Sequence, residues 1–212
     1  MQTHALLRIA NGRSLQESET LPSWAWAALR RAPWVVVRRA GARDGLIPVG
    51  VRGTRRSERL AAWLHRSAVL DSLTPLELAA RRDWLRRVRR ASLPALAALE
   101  GVASIMREHG LSGAWGPCGS VGFELASGVA TATVASDLDL MVQPHRPLAD
   151  AAAAALLASL AQLAVRTDVL LELPHGAVAL AEYALAQAPL VLRTPDGPRL
   201  VRDPWAQSDR PL

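Results

Sequence analysis

The segment GPCGSVGFELASGVATATVASDLDLMV, Gly116 to Val142, sets a Gly-Ser pair ahead of two aspartates that are one residue apart. Side chains of a strand point alternately to its two faces, so in SDLDLMVQ Asp137 and Asp139 share one face while Leu138, Leu140 and Val142 line the other. Two carboxylates held this close repel each other unless a cation lies between them, and oxygen-only ligands suit Mg²⁺ bound to a phosphate substrate. In RTDVLLELP the same alternation places Asp168, Leu170 and Glu172 opposite Val169, Leu171 and Leu173, so Asp168 can form a third acidic vertex on a neighbouring strand. Gly119 permits a close backbone approach, and Ser120 opens a short helix whose free N–H groups favour an anion. A phosphate chain fits there. An Asp-x-Asp pair alone is commonly a solvated rim and a Gly-Ser pair commonly a turn; their ordered combination carries the argument.

Outward from this segment the chain alternates strand and helix. From Ala114 the pattern predicts a short strand into the Gly-Ser turn, a short helix around Val121 to Ala126 and the acidic strand, followed by a long alanine-rich helix. Then come the strand TDVLLELP, a helix from about Gly176 to Ala186, and two strand-like pieces, LVLRT and RLVRD, joined by PDGP. Upstream, TPLE supplies an N-cap Thr74, a proline at the first helical position and a glutamate at the third. The spacing predicts a helix there, with Leu76, Ala80, Trp84 and Val88 on its apolar stripe and Arg82, Arg86, Arg89 and Arg90 largely facing solvent. The next helix runs from about Ser92 to Glu108 and closes at Gly110. Before Thr74, WAWAALRRA reads as a helix, with WVVVRR and LIPVGVRG as strands separated by the turn-rich AGARDG. The expected architecture is α/β of the α+β kind, with a small N-terminal α/β domain over residues 1–73 and a larger catalytic domain over residues 74–212.

The 212 residues, half of them hydrophobic, suffice for one or two compact cores. No charged-then-apolar leader is present at the start, which argues against export. The most apolar run, Ala151 to Val165, is shorter than the ~20 residues that span a bilayer, so no membrane partner is expected. A single cysteine, Cys118, excludes an internal disulfide and a multi-cysteine metal cage and makes the cytoplasm the expected compartment. The net charge of +6 comes from a chain in which every basic residue is arginine, so the charge is informative mainly where it concentrates, in RRDWLRRVRR, Arg81 to Arg90.

The ordered set GS, SDLDL and a later strand aspartate resembles the nucleotidyltransferase superfamily of the polymerase-beta type. Together with PWVVVRR, PVGVRG and LRTPDGPRLVRDPW, the segment GPCGSVGFELASG…SDLDL is similar to the phosphoribosyl-dephospho-CoA transferases of malonate decarboxylase, also called its holo-acyl-carrier-protein synthases, from about Pro33 to Trp205. The resemblance implies a polymerase-beta-like catalytic domain with a mixed sheet and flanking helices. It implies transfer of the phosphoribosyl-dephospho-CoA group from triphosphoribosyl-dephospho-CoA to a serine of the apo acyl carrier subunit of malonate decarboxylase, with release of pyrophosphate. By the same resemblance Asp137 and Asp139 would hold two Mg²⁺ ions, Asp168 would complete the second metal site and could accept the serine proton, and Ser120 with the Gly119 backbone would bind phosphates. The alternative is another Mg²⁺-dependent nucleotidyltransferase, moving a nucleoside monophosphate to a protein or small molecule.

Further candidates have competing readings. Arg52, in PVGVRG, could bind a donor phosphate or ribose with help from Arg55 and Arg56, or could simply end an edge strand. Phe123 could pack on a base or in the core. His145 and His175 lack a Cys or His partner at ligand spacing and stay outside the site. Cys118 has no base beside it and reads as a small buried residue. The Arg81 to Arg90 run is a solvated face, or a surface for an acidic carrier protein, or a nucleic-acid contact. The last needs interleaved aromatics, and only Trp84 is present, on the apolar stripe, so nucleic acid is not an expected partner.

Overall fold

In the computed structural model the described residues are all but Glu17, Ala42, Arg56, Ala186, Gln187 and residues 207–212. They divide into two compact units, one of Met1–Thr74 with Phe123–Thr131, the other of Pro75–Gly122 with Ala132–Leu212.

The first unit is built on strands β1 (Leu6–Ile9), β2 (Trp34–Val37), β3 (Leu46–Arg52), β4 (Arg59–His65) and β5 (Val69–Leu73), with helix α1 (Ser23–Arg31) between β1 and β2. The strands form an antiparallel sheet in the order β4-β3-β2-β1-β5. Period-two alternation decides its inner face: Ile47, Val49 and Val51 of β3 are buried and their neighbours are not. With Leu7, Val35, Val37 and Leu64, and with Ala25 and Leu29 from α1, they make one apolar cluster. The helix and the β2 and β3 strands stand where the sequence predicts them. Strands β1, β4 and β5 were not anticipated, because LLRI, RLAAWLH and VLDSL are short and carry polar or alanine residues.

The second unit opens with α2 (Pro75–Arg81), which starts at the proline of the capping box but ends far sooner than its stripe predicts. Arg82 adopts the left-handed region, with φ 51°, and two short 3₁₀ turns follow over Asp83–Arg86 and Val88–Ser92. The break lets Trp84 bury completely, its ring 6.2 Å from that of Trp115, and turns Val88 out to solvent instead of into the core. Arg89 and Arg90 are correspondingly half-buried, not solvated. Arg82 remains outside and forms an ion pair with Glu100. The helix expected over Ser92 to Glu108 is present as α3 (Pro94–Ala97) and α4 (Leu99–Glu108), whose Leu96, Leu99, Val102 and Met106 are buried.

Next along the chain come β6 (Trp115–Pro117), α5 (Gly119–Ser127, of which the part from Phe123 counts with the first unit), β7 (Leu138–Val142), α6 (Asp150–Leu160), β8 (Thr167–Leu173), β9 (Gly176–Ala179), α7 (Leu180–Tyr183), β10 (Leu190–Thr194) and β11 (Gly197–Val201). The sheet order is β11-β10-β9-β8-β7-β6. Among the described residues only β7 and β8 pair in parallel, as the α6 crossover between them requires, and the remaining pairs are antiparallel. The result is the mixed sheet with flanking helices that was expected. The helix predicted from Gly176 is corrected: GAVA pairs with β8 and β10 as a strand, and only LAEY is helical, while the predicted end at Ala186 lies outside the described residues. Its residues are small and apolar enough for either state, and the β8 hairpin partner decides. Among the described residues no helix is long and apolar enough to cross a membrane.

Candidate active site

Strand β7 carries Asp139 on the face opposite to buried Leu138, Leu140 and Val142, and Asp137 stands just before the strand. In the parallel pairing Asp139 is the direct partner of Asp168 on β8, so these carboxylates leave the sheet side by side at the same level. One carboxylate oxygen from each of Asp137, Asp139 and Asp168 lies within 4.8 Å of the others. Asp137 is exposed and the side chains of the pair are accessible, so water or phosphate oxygens can complete a coordination shell. The donor set is all hard oxygen, which fits Mg²⁺ and not a thiolate-seeking ion.

Gly119 is placed against this set. It follows β6 at the first position of α5 with φ 55°, a conformation that side chains rarely take, and a Cβ there would run into the Asp139 carboxylate. Just before it, the Cys118 N–H donates to the Asp139 carbonyl at 2.8 Å, which locks the Gly-Ser turn to the acidic strand. Ser120 is buried at the second position of the helix. Cys118 is buried as well; burial pushes its thiol well above the ordinary thiol range, and the nearby charges of Asp139 and Glu172 push it the same way. It is therefore the inert residue its sequence context suggests. Phe123 is buried, and His145 and His175 are exposed.

Arg166 was not singled out from the sequence. It lies two residues before Asp168, and its Nη2 donates to both carboxylate oxygens, at 3.0 and 3.2 Å. Its main-chain carbonyl accepts from the Leu138 N–H at 2.9 Å, between Asp137 and Asp139 in the chain. The signal for it was the i, i+2 spacing in RTD, which puts both residues on one side of an extended chain. A guanidinium on Asp168 supplies part of the positive charge that three clustered carboxylates require.

Arg52 and Arg55 belong to the first unit. Arg52 ends β3, which is flanked by β2 and β4 and is not the edge strand considered above. Arg55 sits in the β3–β4 turn, closed by Glu58: its carboxylate accepts from the main-chain N–H groups of Thr54 at 2.8 Å and Arg55 at 3.0 Å, and from the Thr54 hydroxyl at 3.1 Å. The Arg55 side chain is exposed, and Arg56 lies outside the described residues.

A family model described as the phosphoribosyl-dephospho-CoA transferase MdcG C-terminal domain matches residues 77–204, and one described as the MdcG N-terminal domain matches residues 2–75. Curated relatives called phosphoribosyl-dephospho-CoA transferase include one from Azotobacter vinelandii (strain DJ), 44% identical over 187 residues, covering 88% of this chain and 86% of that one. One from Pseudomonas putida is 42% identical over 189 residues, with 89% and 88% covered. No solved structure matches significantly. The carboxylate set and its glycine turn lie inside the matched C-terminal region, and the chain belongs to the phosphoribosyl-dephospho-CoA transferases, a family of transferase enzymes.

Proposed function

We propose that this chain transfers the phosphoribosyl-dephospho-CoA group from triphosphoribosyl-dephospho-CoA to a serine hydroxyl of the apo acyl carrier subunit of malonate decarboxylase, with release of pyrophosphate. The observation that carries this reading is the convergence of Asp137, Asp139 and Asp168 on one volume, within a chain of this family. Divalent cations held by these carboxylates, Mg²⁺ by the hardness of the donors, would neutralise the pyrophosphate leaving group and lower the pKa of the attacking hydroxyl. The remaining steps belong to the protein. Asp137 and Asp139 hold the charge that the site needs, and the Gly119–Ser120 turn offers main-chain N–H groups and a hydroxyl to the phosphates. Asp168 completes the set and accepts the acceptor proton; Arg166, relieved of Asp168, is free to meet the phosphate charge. Arg52 and Arg55 are proposed as further donor contacts, on their charge alone.

The test is a mass measurement on the carrier. Incubated with Mg²⁺ and triphosphoribosyl-dephospho-CoA, the apo subunit should gain one phosphoribosyl-dephospho-CoA group on a serine, and none of that gain should occur with ATP. A gain of a nucleoside monophosphate from ATP alone would make the chain a nucleotidyltransferase of another kind.

A further inference from the structure

Val88 and Val134 are the two most exposed large hydrophobic side chains among the described residues, at 95% and 71%. They are far apart in sequence, and one bond ties their segments: the Arg89 guanidinium donates to the Ala132 carbonyl at 2.9 Å, which fastens the Arg-rich segment to the loop that carries Val134. Leu85, 45% exposed, is on the preceding turn of that segment, and Arg81 and Arg86 are exposed beside it. The loop is itself ordered by a Thr133–Ser136 turn, in which the Ser136 N–H donates to the Thr133 carbonyl at 3.1 Å and the Thr133 N–H to the Ser136 Oγ at 3.0 Å. It then runs directly into Asp137. From Val134 to Asp137 the chain can extend at most about 11 Å.

Exposed apolar side chains flanked in sequence by exposed arginines, on a segment tied to the loop that leads into Asp137, have the make-up of an interface centre with a charged rim. We propose that the surface of Leu85, Val88 and Val134, with Arg81 and Arg86 at its edge, docks an acidic protein that covers the two valines with its own apolar side chains, and that this protein is the one presenting the acceptor hydroxyl. The inference rests on the reading above for the identity of that protein. Charge selects the occupant. A second copy of this chain would bring the same arginines face to face at a net charge of +6. Nucleic acid would call for stacking aromatics, and the patch has only Leu and Val.

Binding and chemistry are separated in the test. The affinity of full-length protein for the purified apo acyl carrier subunit is measured by calorimetry at low and high salt, for wild type, Val88→Asp/Val134→Asp and Arg86→Glu, alongside the affinity of each for triphosphoribosyl-dephospho-CoA. The double variant should raise the carrier Kd at least about tenfold, and Arg86→Glu should raise it at low salt and flatten its salt dependence, with donor affinity and melting temperature unchanged in all. Wild-type affinity in the double variant, with the carrier still modified, overturns the docking surface alone. A wild-type chain that neither binds nor modifies the carrier overturns the functional reading together with the surface. Sedimentation with phosphatidylglycerol vesicles that is lost in the double variant reassigns the patch to a lipid surface and also overturns the proposal.

Discussion

Gly119 and Asp139 are fitted to each other: the glycine takes a positive φ at the start of α5, and the space of the missing Cβ is filled by the Asp139 carboxylate. The glycine of the Gly-Ser pair is therefore required by the acidic strand it packs against. Gly119→Ala should destabilise the fold by more than the ~1 kcal/mol of an unfavourable backbone conformation. Gly113→Ala is the matched control, since Gly113 also has a positive φ but open space at its Cβ position. Urea unfolding of the two variants gives the cost of the clash by difference, and equal losses would remove the packing argument.

Cys118 touches the same strand through its main chain, and its thiol is held protonated by burial and by the charges of Asp139 and Glu172. Iodoacetamide at pH 8 should leave the native protein unlabelled and alkylate it once in denaturant, because only the thiolate attacks. Rapid native labelling would mean that the turn opens.

The Arg166–Asp168 pair is solvent-accessible, with side chains 77% and 45% exposed, so its loss in Arg166→Gln should cost less than about 1 kcal/mol of stability. The guanidinium occupies the oxygens that a divalent ion would use. Arg166→Gln should therefore tighten Mn²⁺ binding to the donor-free protein by a few-fold, read by calorimetry, while slowing transfer; weaker binding would show that Arg166 supports the ion instead of competing with it.

Glu100 supplies a pH dependence away from the site. The Arg82 guanidinium, then the Trp84 indole N–H and the charges of Arg82 and Arg90, hold its carboxyl below the ordinary 4.5, against the opposing effect of burial. A carboxyl lowered in the folded state favours folding while it is ionised, so this contribution is present above about pH 4.5 and disappears as pH falls through the folded-state value. Melting temperature should drop more steeply below pH 4.5 in wild type than in Glu100→Gln, and parallel curves would dissociate Glu100 from acid stability.

Much of the acidic centre could be read from the sequence because strand periodicity is rigid: once SDLDL and TDVLLEL are strands with a leucine face, Asp139 and Asp168 must point the other way. The parallel register that sets them level depends on the α6 crossover and left no local mark. Arg166 went unnoticed for the same reason, since a cation two residues from an acid is ordinary until the acid has neighbours. The Arg81 to Arg90 segment shows periodicity failing: its stripe of every fourth residue fits a helix, yet Arg82 breaks it because burying Trp84 against Trp115 and pairing Arg82 with Glu100 outweigh helix propensity. The same break exposes Val88, which no sequence pattern would place outside.

Under the proposed function Asp137, Asp139 and Asp168 act as one metal-binding unit in group transfer. The most direct measurement of this is Mn²⁺ binding followed by electron paramagnetic resonance in the presence of triphosphoribosyl-dephospho-CoA, with pyrophosphate release measured on the same samples, for wild type and Asp139→Asn. Wild type should bind Mn²⁺ and release pyrophosphate when the carrier is added, and Asp139→Asn, folded, should lose both by at least about 100-fold, beyond the 10- to 100-fold of an outer-shell change. Undiminished Mn²⁺ binding and pyrophosphate release in folded Asp139→Asn would contradict a metal-binding role for these carboxylates.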